Sequence, residues 1–273
     1  MSGIIKPMTR HLYGGYMGVE NLIARWANRS MRKLLVNSEF SIISNNCWAG
    51  RVYRDLGLPY RTPFVGLFIY ADCYLQMLSS LENYVKSALT FKANSRYEFA
   101  NQWRRDRGIF YPIGCLAGEV ELHFLHYGSE MEAREKWARR VSRINWNRLY
   151  VKFNDQNLCT ENHIRRFANL TTCPKVVFTA RQYSDIPCAV NFRRYQHCKF
   201  LPNDTDFYRE YFDVCNWLNT GRIRAGHMFP PRGELTLQAL LSVVLGRFYI
   251  TCVTVRTAAL ARFQSIPETT ALT

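Results

Sequence analysis

Residues 148–180, "RLYVKFNDQNLCTENHIRRFANLTTCPKVVFTA", decide the fold class. Residues 148–153 are rich in apolar and β-branched or aromatic side chains and read as a strand. Thr160 and Glu161 open a helix that runs to about residue 169, and 175–180, "KVVFTA", read as a second strand. A strand, a helix of this length and another strand form the unit from which parallel sheets are built.

The same alternation continues outward. "EVELHFLHY", 119–127, sets Val120, Leu122, Phe124 and His126 against Glu119, Glu121, His123 and Leu125, and reads as a strand. Residues 129–144 follow as a helix, with Ser129 as cap and Glu132 at capping-box spacing. Further upstream, 39–44 read as a strand and 47–56 as a short helix. "TPFVGLFI", 62–69, reads as a buried strand and 71–91 as a helix, while 96–108 form a charged surface excursion. Downstream, "AVNF" reads as a short strand and 205–219 as a last helix. The expected architecture is therefore α/β. A mainly parallel, Rossmann-like layered sheet carries helices on both faces, because right-handed crossovers put them there.

The chain divides into three parts. Residues 1–37 include "YMGVENLIARWANRSMRKLLV", apolar at helical spacing with many Arg and Lys, and read as an amphipathic helical extension. Residues 38–220 hold the α/β domain. Residues 221–273 begin with the Gly-, Pro- and Arg-rich "GRIRAGHMFPPRG" and read as a linker into a helical C-terminal extension. Its apolar run, 235–255, contains Gln238 and Arg247 and is expected to lie on a surface rather than to span a bilayer.

The 273 residues carry 36 Lys and Arg against 21 Asp and Glu, a formal charge of 36 − 21 = +15. Such an excess favours anionic partners. No motif interleaves the arginines with stacking aromatics, so nucleic acid is not expected as a partner. Nine cysteines without any C-x-x-C pair, and no apolar leader at the N-terminus, point to free thiols in a reducing cytoplasm.

Functional residues are sought at the carboxyl ends of the strands, where open α/β sheets bind ligands near a topological switch point. The first exit supplies Ser44, Asn45, Asn46 and Trp48. The others supply His126 and Tyr127, Asn154 and Asp155, and Thr179 and Arg181. This set suits a hydroxyl-rich, anionic ligand, with Trp48 and Tyr127 offering faces to a sugar ring or a base. His126 is the candidate general base, since imidazole titrates near neutral pH. Ser44 as a nucleophile requires a histidine within hydrogen-bond reach, oriented by a group such as Asp155. Cys47, at a helix N-terminus, is either a thiol of lowered pKa or a small packing residue. On a strand, the H-x-x-H of His123 and His126 points to opposite faces, so no metal site is expected, and His123 shares a face with Glu121. Walker, G-x-G-x-x-G and G-x-S-x-G motifs are absent, and no cofactor is expected.

The segments "SIISNNCWAGRVYRDLGLPYRTPFVGLFI", "YPIGCLAGEVELHFLHY", "KWARRVSRINWNRLYVKFNDQNLCTE", "KVVFTARQY" and "YFDVCNWLN" together resemble a family of exopolysaccharide biosynthesis proteins. That family is a domain of unknown function found with capsule and exopolysaccharide genes. The resemblance covers about 38–220. Its motif positions are Asn45, Asn46, Trp48, Gly50, His123, His126, Tyr127, Asn145, Trp146, Lys152, Asp155 and Thr179. Ala49 departs from an expected glycine, and Gly118 from an expected acidic residue. The resemblance implies bacterial surface-carbohydrate synthesis without supplying a reaction. The resulting expectation is a cytoplasmic transferase that modifies a sugar or oligosaccharide acceptor from a phosphate-bearing donor, either a nucleotide sugar or an acyl thioester. Its rival is a non-catalytic carbohydrate-binding or assembly factor at the inner face of the membrane.

Overall fold

The structure is a computed structural model that describes residues 28–170 and 173–226. Helical residues 28–34 (α1) lead into β1 (Ser41–Ser44) and α2 (Trp48–Asp55). Next come α3 (Ala71–Ser79), α4 (Leu81–Lys86), β2 (Leu89–Lys92), α5 (Glu98–Arg107), β3 (Ile113–Leu116) and β4 (Val120–His123). The chain continues through α6 (Glu130–Val141), β5 (Leu149–Asn154), α7 (Glu161–Asn169), β6 (Lys175–Thr179), β7 (Ala189–Asn191), α8 (Tyr208–Tyr211) and α9 (Val214–Thr220).

β1, β5, β6 and β7 form a four-stranded sheet in that order, every pair parallel. The β5–α7–β6 unit read from 148–180 is its centre. Alternation along the strands divides the core in two. Ile43, Val151, Phe153 and Val177 face α3, α7 and the second sheet. Ile42, Tyr150, Val176 and Phe178 face α2, α8 and α9. Helices thus cover both faces, as the α/β reading requires. Met31 and Leu35 pack on the second layer, and Asn219 exchanges hydrogen bonds with the backbone of Leu34 and Val36, so 28–36 are tied to α9. The rest of the expected N-terminal extension, and all but 221–226 of the C-terminal one, lie outside the described residues. Among the described residues no helix is long and apolar enough to cross a membrane.

The structure departs from the sequence reading in the middle of the chain. "EVELHFLHY" does not join the parallel sheet: β4 pairs antiparallel with β3, and β3 with β2, in a separate three-stranded sheet. Ala117 and Gly118 both take positive φ (49° and 75°) at the centre of a tight turn closed by the Glu119 amide donating to Leu116 O at 3.0 Å, within a three-residue connection between Leu116 and Val120. This local pairing precludes a long crossover between β3 and β4. "TPFVGLFI" forms only an isolated bridge, Phe68 to His123, because Gly66 turns the backbone at φ 74°. The expected helix at 71–91 breaks at Ser80 into α3 and α4 and ends in β2, and the charged excursion at 96–108 contains α5. The last helix is interrupted at Phe212, and Asp213 re-caps it by accepting from the Asn216 amide at 2.9 Å. Strand order in the parallel sheet advances without reversal, so the sheet has no switch point of the expected kind.

Candidate functional site

At the carboxyl edge of the parallel sheet, side chains from three segments meet on the α2 side. Ser44 and Lys152 are partners in register on β1 and β5, and Asn154 follows two residues along the same face. The chain leaving β1 contributes Asn45 and Asn46. The loop at 198–207 folds across the strand ends and lowers Asp204 onto Lys152, with which it forms an ion pair. Asn46 Nδ2 donates to both oxygens of Asp204 at 2.9 and 3.0 Å, and Asn154 Nδ2 donates to Oδ2 at 2.7 Å. Lys152 Nζ also donates to Asn46 Oδ1 at 3.0 Å, and Asn45 Nδ2 to Asn154 Oδ1 at 2.7 Å. Lys152, Asn45 and Asn154 are wholly buried. Burial pushes the Lys152 ammonium below its usual range, and the Asp204 carboxylate opposes that shift. The lysine nitrogen lies 5.4 Å from the Phe178 ring centroid and 5.9 Å from that of Trp48, so aromatic faces assist in holding the charge.

Asp155 closes the other side of the strand end. Its carboxylate accepts the amides of Ala180 at 2.6 Å and Leu201 at 2.8 Å, joining the β5, β6 and 198–207 exits. Burial raises its pKa to about 6, against the lowering effect of those two amides.

Of the residues expected at the site, Ser44, Asn45, Asn46, Asn154 and Asp155 come together, although their roles differ from those expected. The amides hold one another and Asp204 rather than standing free for sugar hydroxyls; Asn45 Oδ1 alone among them is buried without a partner. Ser44 bonds only Asn46, and no described histidine reaches it, so it lacks the base a serine nucleophile needs. Trp48 is completely buried among Phe178, Tyr208, Phe212 and Trp217, which leaves no ring face for a ligand. Tyr127 is also buried, donating to Val65 O at 2.6 Å and accepting from Arg140. Thr179 donates to Arg181 O at 2.7 Å within the turn after β6, and Arg181 is exposed.

His126 leaves the antiparallel strand β4 instead of a parallel one, and its link to the parallel sheet runs through residues 66–69. Phe68 and His123 exchange backbone hydrogen bonds at 3.0 Å, and the His126 amide donates to Gly66 O at 3.0 Å. Ile69 N in turn donates to Asn45 O at 2.8 Å. Residues 66–69 therefore bridge the β4 exit to the β1 exit, and His126 is exposed at the rim. Cys47, half-buried, sits on the inner side of this bridge with Sγ 3.7 Å from Leu67 O. Burial raises the pKa of its thiol, outweighing the nearby Lys152 charge, which agrees with the reading of Cys47 as a packing residue rather than a thiol of lowered pKa.

His123 forms a different, sealed cluster. Its Nε2 is 2.7 Å from Glu121 Oε1 and its Nδ1 is 3.2 Å from Tyr111 Oη. Burial lowers the histidine pKa; burial alone would raise that of Glu121, but bonds from His123, Ser95 and the Arg96 amide together outweigh it and lower it. The two directions agree on a neutral imidazole donating to a charged carboxylate. Among the described residues no three His, Cys, Asp or Glu side chains are grouped as a metal site.

Sequence reasoning named Lys152 only as a motif position of the resemblance, without a role at the site, and missed Asp204. A lone Lys inside "LYVKFN" was a signal, because a lysine in a strand buried on both faces needs a counter-charge. Nothing in the sequence marked Asp204, which lies in an irregular loop 52 positions away.

A family model described as "Domain of unknown function (DUF1919)" matches residues 19–219. The chain is also 30% identical over 199 residues to an uncharacterised protein of Haemophilus influenzae, covering 70% of this chain and 90% of that protein.

Proposed function

The chain belongs to the DUF1919 family, and we propose that it is a transferase of bacterial surface-carbohydrate assembly, working at the carboxyl edge of its parallel sheet. What supports this reading is the meeting of the β1, β5 and β6 exits with the 198–207 loop around one buried ion pair, with an exposed imidazole, His126, at its rim. A network this closely bonded, with Asn45 Oδ1 its one orphaned atom, fixes its loops; the groups left to meet a ligand are the exposed side chains outside it, His126 and Arg181. His126 takes the proton of the acceptor hydroxyl, and the cationic surface attracts a donor carrying phosphates. The resemblance of 38–220 to exopolysaccharide biosynthesis proteins supports the carbohydrate acceptor and the link to capsule or exopolysaccharide synthesis.

A non-catalytic carbohydrate-binding role at the membrane's inner face is the second reading, favoured by one observation. Asp155, the only strand-exit carboxylate among the expected catalytic residues, is engaged by two backbone amides. A binding screen against nucleotide sugars, acyl-coenzyme A and oligosaccharides, titrated with salt, separates the two. The transferase reading requires binding of a phosphate-bearing donor that weakens with salt. Binding of oligosaccharides alone supports the second reading, and binding of none of the three contradicts both.

A further inference from the structure

α5 turns Ala100 and Asn101 inward, where Asn101 holds the Ser95 backbone and Arg104 reaches the carbonyls of Ala93 and Tyr111. Glu98, Gln102, Arg105 and Asp106 satisfy one another on a polar face, through the Glu98–Arg105 ion pair at 2.6 Å and the Gln102–Asp106 hydrogen bond. Between these faces runs a third, on which Phe99, Trp103 and Arg107 stand four residues apart and therefore in line. Phe99 is 51% exposed, and the Arg107 guanidinium lies 5.0 Å from the centroid of the half-buried Trp103 ring.

The apolar surface continues past the helix. Gly108, at φ 58°, ends α5, and the chain leaves through Ile109 and Phe110, the latter 66% exposed. The Phe124 amide donates to Pro112 O at 3.0 Å, which extends the β3–β4 register and brings 110–112 beside 124–125, where Leu125 is also exposed. A row of rings joins the two ends: Phe99 to Tyr70 at 5.5 Å, Tyr70 to Phe68 at 5.4 Å and Phe68 to Tyr111 at 6.4 Å. Tyr70 and Tyr111 are buried, so the exposed side chains rest on a firm base.

The charge beside this surface is positive. Arg96 and Arg107 are exposed and have no carboxylate partner among the described residues, whereas the acids of α5 are held by Arg105 and Gln102. Arg96 stands over an aromatic ring as Arg107 does, 5.3 Å from the centroid of Tyr97. We propose that this surface docks on an anionic lipid bilayer. Phe99, Trp103, Ile109 and Phe110 enter the headgroup boundary, and the two guanidiniums meet lipid phosphates. Phe and Trp beside arginine is the composition of an interfacial segment, with the tryptophan at headgroup level. Each arginine near an anionic leaflet adds to the attraction, and the chain's excess of 36 Lys and Arg over 21 Asp and Glu has the same sign. The lipid contact stands whether the carboxyl edge catalyses or only binds.

The full-length protein is sedimented with vesicles of phosphatidylcholine alone and of phosphatidylcholine with phosphatidylglycerol, at rising salt. Binding to the anionic vesicles is expected, weakened by salt and much reduced on the neutral ones. Phe99→Ser with Phe110→Ser, at two exposed positions, should keep the wild-type melt and lower the partition coefficient about tenfold or more, the loss expected when two phenyl rings no longer leave water. Arg96→Gln with Arg107→Gln should lower binding to the anionic vesicles alone. Should the phenylalanine variant fail to fold, quenching of tryptophan fluorescence by brominated lipid supplies the readout, and it should fall in Trp103→Phe. Absence of wild-type binding to anionic vesicles overturns the proposal. Binding retained by a folded phenylalanine variant, or quenching unchanged in Trp103→Phe, overturns it by putting the lipid contact elsewhere in the chain. A dimer in sedimentation equilibrium that the phenylalanine variant breaks also overturns it, since the face then belongs to a second copy.

Discussion

Lys152 and Asp204, 52 positions apart in sequence, form an ion pair in which neither side chain reaches solvent. Removing one partner of such a pair leaves a buried charge uncompensated, which typically costs about 3–5 kcal/mol. Lys152→Met should therefore lower the urea midpoint by that equivalent. Lys152→Met with Asp204→Leu removes both charges but takes the acceptor from the Asn46 and Asn154 Nδ2 donors, so it should recover only part of the loss. A single variant as stable as the wild type would mean that the 198–207 loop is not locked by this contact.

Asp155 makes stability depend on pH in an unusual direction. Its folded pKa, about 6, lies above its ordinary 3.8, so between those values the folded state binds the extra proton. The resulting stability is fully present below about pH 4 and lost as pH rises through about 6, up to about 3 kcal/mol in all. Asp155→Asn removes this dependence. Urea midpoints of wild type minus variant should fall across that window; a difference that rises or stays flat refutes the assignment.

Trp48 is a core residue by every contact it makes, so its truncation should act on stability. Trp48→Ala is expected to cost about 3–5 kcal/mol, the usual range for an aromatic core residue, whereas Trp48→Phe should be far milder. Thermal melts and sugar binding measured on Trp48→Phe check this together. Loss of binding with an unchanged melt would restore Trp48 to the ligand.

Gly66→Ala tests the bridge between β1 and β4. The substitution strains a backbone at φ 74° and brings a methyl 3.1 Å from Tyr127 and 3.3 Å from His126. Positive φ alone costs a non-glycine residue about 1–2 kcal/mol. The expected outcome is a destabilised protein with His126 displaced, visible as a shift of its imidazole NMR signals. An unchanged melt and unchanged signals would show that the bridge tolerates a side chain.

Much of this fold was legible because its centre is local. β5–α7–β6 carries its own capping signal, the Thr160 amide donating to His163 Nδ1 at 3.0 Å, and the preceding α6 is capped by Ser129, which accepts from the Glu132 amide at 3.1 Å. The second sheet was not legible, since β2, β3 and β4 are only four residues each and a short apolar strand looks like a buried piece of anything. Asn45, Asn46, Asn154 and Asp155 could be grouped from strand ends alone because parallel strands deliver their exits to one edge. Whether those amides were free for a ligand depended on Asp204, and a loop aspartate carries no period or spacing that would announce it. His126, expected to leave a parallel strand, leaves the antiparallel β4 instead and is linked to the β1 exit only through the backbone of residues 66–69.

The most direct test follows label from a donor to a carbohydrate acceptor, with nucleotide sugars and acyl thioesters as donors, in wild type and in His126→Ala. The transferase reading predicts transfer by the wild type and a loss of about a hundredfold or more in the variant, with the melting temperature unchanged because His126 is exposed. Transfer that proceeds equally well in His126→Ala, or no transfer from either donor class by the wild type, would contradict it.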